Sequence, residues 1–235
     1  MPRGILSCFS GMEIIKTTDT GRSLKLELSD GEILFLPYGK IPGHLIARGT
    51  TVDETLYRQL KDESERYLCK DKALSYVAMK SCSARQLIQY LKKKKFSENI
   101  VQETVQRLME LRYLDDHEFS LNYIRARKGR KAVGRSRLVS ELAGKGVSRK
   151  IIDRAIRETG ADKDDLEEVL DLARKKYERL KDKPNGLAKT GFFLQGRGFD
   201  HGTIRRVLRM LEKDASFDQS PPHDPQGQGE PEQSE

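Results

Sequence analysis

The sequence predicts a mainly α chain: three tandem three-helix repeats forming an elongated curved array, preceded by a small β-meander and a connecting helix. Three observations carry that expectation: an internal repeat of about 50 residues, a helical apolar period inside each copy, and strand-like alternation confined to residues 12–36. The segments LIQYLKKKKFSENIVQETVQRL, LVSELAGKGVSRKIIDRAI and TGFFLQGRGFDHGTIRRVLRML superimpose, with Phe96, Val147 and Phe199 in register at spacings of 51 and 52 residues. A helix-capping residue follows each: Ser97, Ser148 and Asp200. Behind the caps lie Ile100, Val101, Val105 and Leu108, then Ile151, Ile152 and Ile156, then Ile204, Val207, Leu208 and Leu211. Positions four, eight and eleven after a cap share one helical face, so each of these helices buries a single stripe.

One helix earlier in each copy, Leu91, Leu142 and Leu194 are equivalent. Those helices start at Ser83 (with Gln86 completing a capping box), at Gly134, and at the Pro184-Asn185-Gly186 break. A further helix precedes each, from Asp71, Asp116 and Asp165. Modules this small bury no secure core alone, so neighbours stack and present one long surface, which suits an extended partner.

Ahead of the repeats, Leu24, Leu26 and Leu28 alternate with Lys25 and Glu27, and EILFL pairs back after Asp30-Gly31, a two-residue hairpin signal. The stretch PYGKIPGHLIARGT reads as a turn-rich linker, and Thr50 or Thr51 as the cap of a helix reaching Met79 without Gly or Pro. The expected organisation is therefore an extension at 1–11, a β-rich segment at 12–50, a connecting helix at 51–70, modules at 71–115, 116–161 and 162–214, and a disordered acidic tail at 215–235. The apolar patch before Cys8 is too short for a signal peptide, and the expected native start is Met12, where the strand pattern begins.

Charge is unevenly distributed. The whole chain carries +8, but Lys80–Lys150 alone holds eighteen Lys/Arg against seven Asp/Glu. A basic body implies a polyanionic partner. Cys8, Cys69 and Cys82 are odd in number and widely spaced, which disfavours a disulfide framework or a zinc site. No apolar run approaches the roughly 20 residues of a membrane span. Residues 215–235 carry five acids and no Lys or Arg; these acids are expected at most to occupy the basic surface and weaken its binding to nucleic acid.

The densest cationic stretch is Arg125, Arg127, Lys128, Arg130, Lys131, Arg135 and Arg137, seven cations in thirteen residues around a Gly129–Gly134 loop. Glycines let backbone approach phosphate, and loop cations can converge on it. Lys92, Lys93, Lys94 and Lys95 form a second cluster. The plainer reading is a solvated surface whose lysines offset helix dipoles. Tyr90, Tyr113, Tyr123, Phe96 and Phe119 occupy apolar repeat positions and are expected in cores, whereas Phe192 and Phe193 cannot both face one core. Asp115-Asp116 and Asp162, Asp164 and Asp165 sit just before helices, where capping explains them better than metal ligation. His44, His117, His201 and His223 are isolated, and no phosphate-binding loop of the G-x-x-x-x-G-K-[ST] type is present. No catalysis and no cofactor are expected.

The stretch RYLDDHEFSLNYIRARKGRKAVGRSRLVSELAGKGVS resembles the central module of the RecX family of recombination regulators. The resemblance rests on Tyr113-Leu114-Asp115-Asp116, Phe119, Tyr123-Ile124, Arg125, Arg127, Gly134 with Leu138, Glu141-Leu142 and Lys145-Gly146-Val147. SARQLIQYLKKKKFSENIVQETVQRLMELRYLDD is similar to the first module and GRGFDHGTIRRVL to the third, so the likeness covers about Asp71 to Asp214. The first module departs from the pattern at Lys95, where the family often carries glycine before the aromatic. The resemblance implies a fold of three-helix repeats and a regulator that binds the RecA–single-stranded-DNA filament and blocks its extension or activity. The cysteine usage separately implies reduced thiols in a cytoplasmic setting, and a monomer is expected because nothing in the sequence demands a dimer. Single- and double-stranded DNA would be met through phosphate. From the residues alone, a helix-turn-helix DNA-binding protein and an α-repeat scaffold for an acidic protein stay open.

Overall fold

The computed structural model describes residues 11–130 and 132–217, with side chains described as far as Asp214. The chain divides into two compact units. One holds the residues up to Ser120 together with Ala143–Ile151; the other holds Leu121–Leu142 together with Ile152 onward.

In the first unit, β1 (Met12–Asp19), β2 (Leu24–Leu28) and β3 (Ile33–Leu36) form the meander. A fourth strand, β4 (Thr51–Val52), joins the far side of β1, giving an antiparallel sheet of order β3-β2-β1-β4. Two-residue periodicity puts Ile14, Leu26, Leu28, Leu34 and Leu36 on the buried face. The β2–β3 turn is not the two-residue hairpin expected. The Leu28 N–H donates to the Glu32 carbonyl, which leaves three residues in the loop, and Gly31 alone of them takes a positive φ, 86°. Asp30 accepts the Glu32 N–H instead of adopting the left-handed region.

The expected linker also folds. A short 3-10 helix, Gly43–Ile46, brings Ile46 into the sheet's core beside Ile41. Thr51 lies in β4, and Asp53 rather than Thr50 or Thr51 caps helix α1 (Glu54–Met79), accepting the Leu56 N–H at 2.7 Å. Helix α1 runs unbroken through the boundary expected at 70/71. Its first half buries Leu60 against the sheet, where the Phe35 N–H donates to Ser64 Oγ at 2.9 Å. Its second half buries Cys69 and Ala73 against α2 (Ala84–Lys93) and α3 (Glu98–Glu110). One helix thus serves two cores, and no Gly or Pro interrupts it.

The first module's core is Leu87, Leu91, Ile100, Val101, Val105 and Leu108, the stripe the periodicity predicts. Ser83 and Gln86 form the expected capping box. Ser97 makes no side-chain cap; its N–H donates to Glu65 on α1 at 2.5 Å. Next come α4 (Asp116–Lys128), α5 (Arg135–Gly144) and α6 (Arg149–Glu158), in which Ile124, Leu138, Leu142, Ile152 and Ile156 are buried. In the second unit, α7 (Leu166–Tyr177), α8 (Gly186–Gly196) and α9 (His201–Phe217) enclose Val169, Leu170, Ala173, Leu194, Val207 and Leu211. Helix α9 extends three residues beyond the expected boundary at 214. Asp165 caps α7 and Asp200 accepts the Gly202 and Thr203 N–H groups at the start of α9, as expected.

Each unit contains a junction between the start of one helix and the turn after another, made by side chains in the first unit and by backbone in the second. In the first unit, the start of α2 meets the turn between α5 and α6: Ser83 Oγ donates to the Lys145 carbonyl at 2.6 Å. Asp116, expected to cap its own helix, accepts the Ala84 N–H at 2.8 Å instead, so α4 supplies an acceptor to α2. In the second unit, the start of α5 meets the turn between α8 and α9. There Gly134 N–H donates to the Arg197 carbonyl at 3.0 Å and Ser136 N–H to the Gly198 carbonyl at 3.1 Å. Both turns call for glycine, the first because of its positive φ and the Arg85 side chain above it, the second because of its positive φ and the backbone it meets. A Cβ on Gly146 (φ 87°) would lie 2.1 Å from Arg85 Cδ, and one on Gly198 (φ 86°) would lie 2.3 Å from the Arg137 nitrogen.

Lys95 occupies the matching turn of the first module at φ 67°. No three-helix module precedes it among the described residues, so a side chain is tolerated at the cost of left-handed strain. The two turns should therefore respond oppositely. Gly198→Ala is expected to lower stability by about 2 kcal/mol or more, from strain plus overlap with backbone. Lys95→Gly is expected to raise it by about 1 kcal/mol. Urea unfolding followed by circular dichroism reads both signs.

Candidate nucleic-acid interface

The cations singled out in the sequence separate into two groups once placed. Lys93, Lys94 and Lys95 are exposed at the C-terminal end of α2, where positive charge offsets the helix dipole. Lys94 Nζ lies 5.8 Å from the Tyr90 ring centre, and Lys92 is paired with Glu98 at 2.6 Å. On α4, Arg125 is exposed and its nearest partner is the neutral Asn122, at 3.5 Å. Arg130 is exposed in the following loop, and Lys128 is half-buried near Asp164. Lys131 lies outside the described residues, as do Cys8 and residues 218–235.

The remaining three arginines have carboxylate partners. Arg135 pairs with Asp153 at 2.9 Å. Arg127 clamps Glu141 with two parallel bonds, Nε to Oε2 at 2.8 Å and Nη2 to Oε1 at 2.6 Å. Arg137 adds Nε to Oε1 at 3.0 Å, and the Tyr123 hydroxyl donates to Oε2 at 2.9 Å. Arg137 also donates from Nη1 to the Gly196 carbonyl at 2.9 Å, tying this cluster to the junction at Gly198. Burial acts to raise the Glu141 carboxyl, but the bonds from Arg127, Tyr123 and Arg137 outweigh it and hold the group below the usual range. Arg127 and Arg137 therefore act first within the fold, as a bidentate clamp and a strap. A count of cations could not foresee this, because Glu141 is separated from Arg127 by 14 residues.

A second basic region escaped the sequence reading. Arg130, Lys175, Lys176, Arg179 and Arg197 line a groove of about 570 Å³ in the second unit, with Glu168, Asp171, Leu172, Ala132 and Phe193. Lys176 Nζ and Arg197 Cζ lie 5.2 and 5.3 Å from the Phe193 ring centre. The signal was weak because four of the cations come from α7, the turn after it, and the turn after α8, far apart in sequence.

The aspartates settle into structural roles, with differences from expectation. Asp115 caps α4 through the His117 and Glu118 N–H groups. Burial pushes the Asp116 carboxyl up, partly offset by the Ala84 N–H. Asp164 is half-buried beside Thr203 and Asp200; burial raises its carboxyl while Thr203 and the helix amides lower that of Asp200. Among the described residues, no group of three or more His, Cys, Asp or Glu is placed to hold a metal ion. Cys69 and Cys82 are free and buried, and burial raises both thiols. Tyr113, expected in a core, is 62% exposed; Phe119 is buried and Tyr90 stacks on Tyr76 with ring centres 4.1 Å apart. No described helix is long and apolar enough to cross a membrane.

Comparison with known proteins defines the class. Sequence models of the first, second and third three-helix domains of RecX match residues 69–108, 115–156 and 162–208, in that order. The Regulatory protein RecX of Chlorobium phaeobacteroides is 34% identical over 142 residues, covering 60% of this chain and 91% of that protein. That of Pelodictyon phaeoclathratiforme is 32% identical over 151 residues, covering 63% and 92%. A crystal structure of regulatory protein RecX shares the fold with a TM-score of 0.66 at 20% identity, covering 83% of this chain and 98% of the other. RecX from Lactobacillus salivarius superimposes with a TM-score of 0.56 at 19% identity, covering 63% and 97%. The chain belongs to the RecX family of regulatory proteins.

Two variants test the Glu141 cluster and its neighbour. Glu141→Gln should cost about 2 kcal/mol at neutral pH, the worth of one charged hydrogen bond. Because the folded carboxyl is held low, its contribution is complete above the unfolded pKa of about 4.3 and is lost as pH falls through the folded value. The stability difference between wild type and Glu141→Gln should shrink as the pH is lowered through that window; a constant difference in urea titrations would assign the cost to packing. Asp164 has the opposite sign. Its raised carboxyl penalises the folded state once pH exceeds the folded value, so Asp164→Asn should stabilise at neutral pH and lose that advantage below about pH 4.

Proposed function

We propose that the chain regulates RecA, as an inhibitor that binds the RecA–single-stranded-DNA filament and blocks its extension or activity in recombination and repair. The observation that carries this reading is membership, through all three modules in order, in a family of regulatory proteins. The exposed cations Lys93, Lys94, Lys95, Arg125 and Arg130 support a polyanionic partner, and they sit at helix ends and in a loop, where phosphate contact is geometrically easier than base readout. Lys92, Lys128 and Arg135 serve as secondary contacts, and Lys131 is included from its place in the sequence. Arg127 and Arg137 contribute by shaping that loop through Glu141. The regulator acts by occupancy, as a monomer in the cytoplasm, with no bond made or broken and no cofactor.

The test is RecA's single-stranded-DNA-dependent ATP hydrolysis with the protein titrated in. Inhibition well below one protein per RecA supports a filament regulator; full activity at saturating protein removes the inhibitory reading. Arg125→Glu with Lys94→Glu should weaken inhibition while leaving helicity intact, and should lower the salt dependence of binding by about 1 in log–log slope per residue.

A further inference from the structure

Phe192 has no structural employment. It is 71% exposed on α8, although it lies beside Phe193, which packs into the module's core. The repeat supplies an internal control. Counting back from the equivalent leucines Leu194, Leu142 and Leu91, the position of Phe192 is Ser140 in the second module and Gln89 in the first. The three-helix fold therefore accommodates a polar residue there, and the aromatic ring is particular to the third module.

The helix that exposes this ring also contributes Phe193 to the basic groove. Phe193 and Arg197, one helical turn apart, line that groove, and Phe192 is about 100° around α8 from Phe193. Lys189, one turn before Phe193, is exposed on the same stripe. Within the groove, Arg130, Lys175 and Arg179 make no ion pair with any described carboxylate, and Lys176 and Arg197 face a ring rather than an acid. Five cations gathered from a loop, α7, the turn after it, and the turn after α8 face two carboxylates, Glu168 and Asp171. A cationic groove and an exposed aromatic ring carried by one helix are the two features that hold a single strand, with phosphates in the groove and a base on the ring.

We infer that the third module carries a single-strand nucleic-acid site in which Arg130, Lys175, Arg179 and Arg197 receive the backbone and Phe192 stacks on an unpaired base. This rests on the reading above that the protein works on a nucleoprotein filament, but it assigns the strand to a groove and gives that groove a preference. Duplex bases are already stacked on one another, so Phe192 gains nothing from a duplex, whereas the cations serve both forms.

The experiment uses the full chain without RecA and two labelled probes, an oligodeoxythymidine of about 16 nucleotides and a hairpin duplex of similar charge, read by fluorescence anisotropy. Phe192→Ala should weaken single-strand binding by roughly 5- to 100-fold and leave duplex binding unchanged. Lys175→Gln with Arg179→Gln should weaken both and reduce the single-strand salt slope by about 0.7 for each phosphate no longer neutralised. All three positions are exposed, and thermal melts matching wild type verify that the fold is intact. Equal weakening on both probes from Phe192→Ala would overturn the stacking assignment. Unchanged single-strand affinity in the double variant would overturn the site, leaving the groove to another anion such as the acidic residues of 218–235. Because RecA is absent, either failure is distinct from a failure of inhibition in the ATP hydrolysis assay.

Discussion

The structure depends on a junction between helix starts and left-handed turns. The first amides of a helix lack partners within the helix, and the last carbonyls of the helix before a turn lack them too. Placing one set against the other satisfies both without any side chain, but only where the two backbones can approach. Gly134 against Gly198 meets that requirement, whereas in the first unit the side chains of Ser83 and Asp116 make the bonds and Gly146 lies beneath the Arg85 side chain. Apolar burial supplies most of the stability of each module, at roughly 1.5–3 kcal/mol per fully buried Leu or Ile. The junctions decide which surfaces those cores turn toward one another within each unit.

That constraint reaches the charged surface through Arg137. Its backbone nitrogen abuts Gly198, while its guanidinium bonds the Gly196 carbonyl and Glu141. Glu141 in turn clamps Arg127 and takes the Tyr123 hydroxyl. A half-buried carboxylate with three donors is a structural element, and it sets where the neighbouring loop leaves α4. Arg130, at the end of that chain of contacts, is then presented to the groove on α7 and α8. Packing of the third module and presentation of cations are thus consequences of the same contacts.

The N-terminal sheet is fastened in a different manner. A single helix, α1, carries Leu60 and Ser64 to the sheet and Cys69 and Ala73 to the first module. The two cores share a rigid rod, so the β-rich segment is an integral part of the first unit. Thr51 illustrates why composition misled there: a good capping residue was claimed by pairing with β1, and Asp53, two residues on, took the cap.

Periodic features were legible in the sequence because they are local. The three helical stripes, the capping box at Ser83, the cap at Asp200 and the sheet's alternating leucines all follow from spacing and short-range hydrogen bonding. The internal repeat showed the number of modules, and the sequence already showed Lys95 in place of a glycine. Long-range partners were beyond its reach. Asp116 bonding Ala84 across 32 residues, Glu141 gathering two arginines, and Phe192 left exposed while Phe193 packs each depend on which surfaces meet. Sequence by itself determined the modules and the sign of their charge, since both follow from residue type and period. Only the tertiary structure decided which charges are neutralised and which are presented, because that is a matter of distance between residues far apart in the chain.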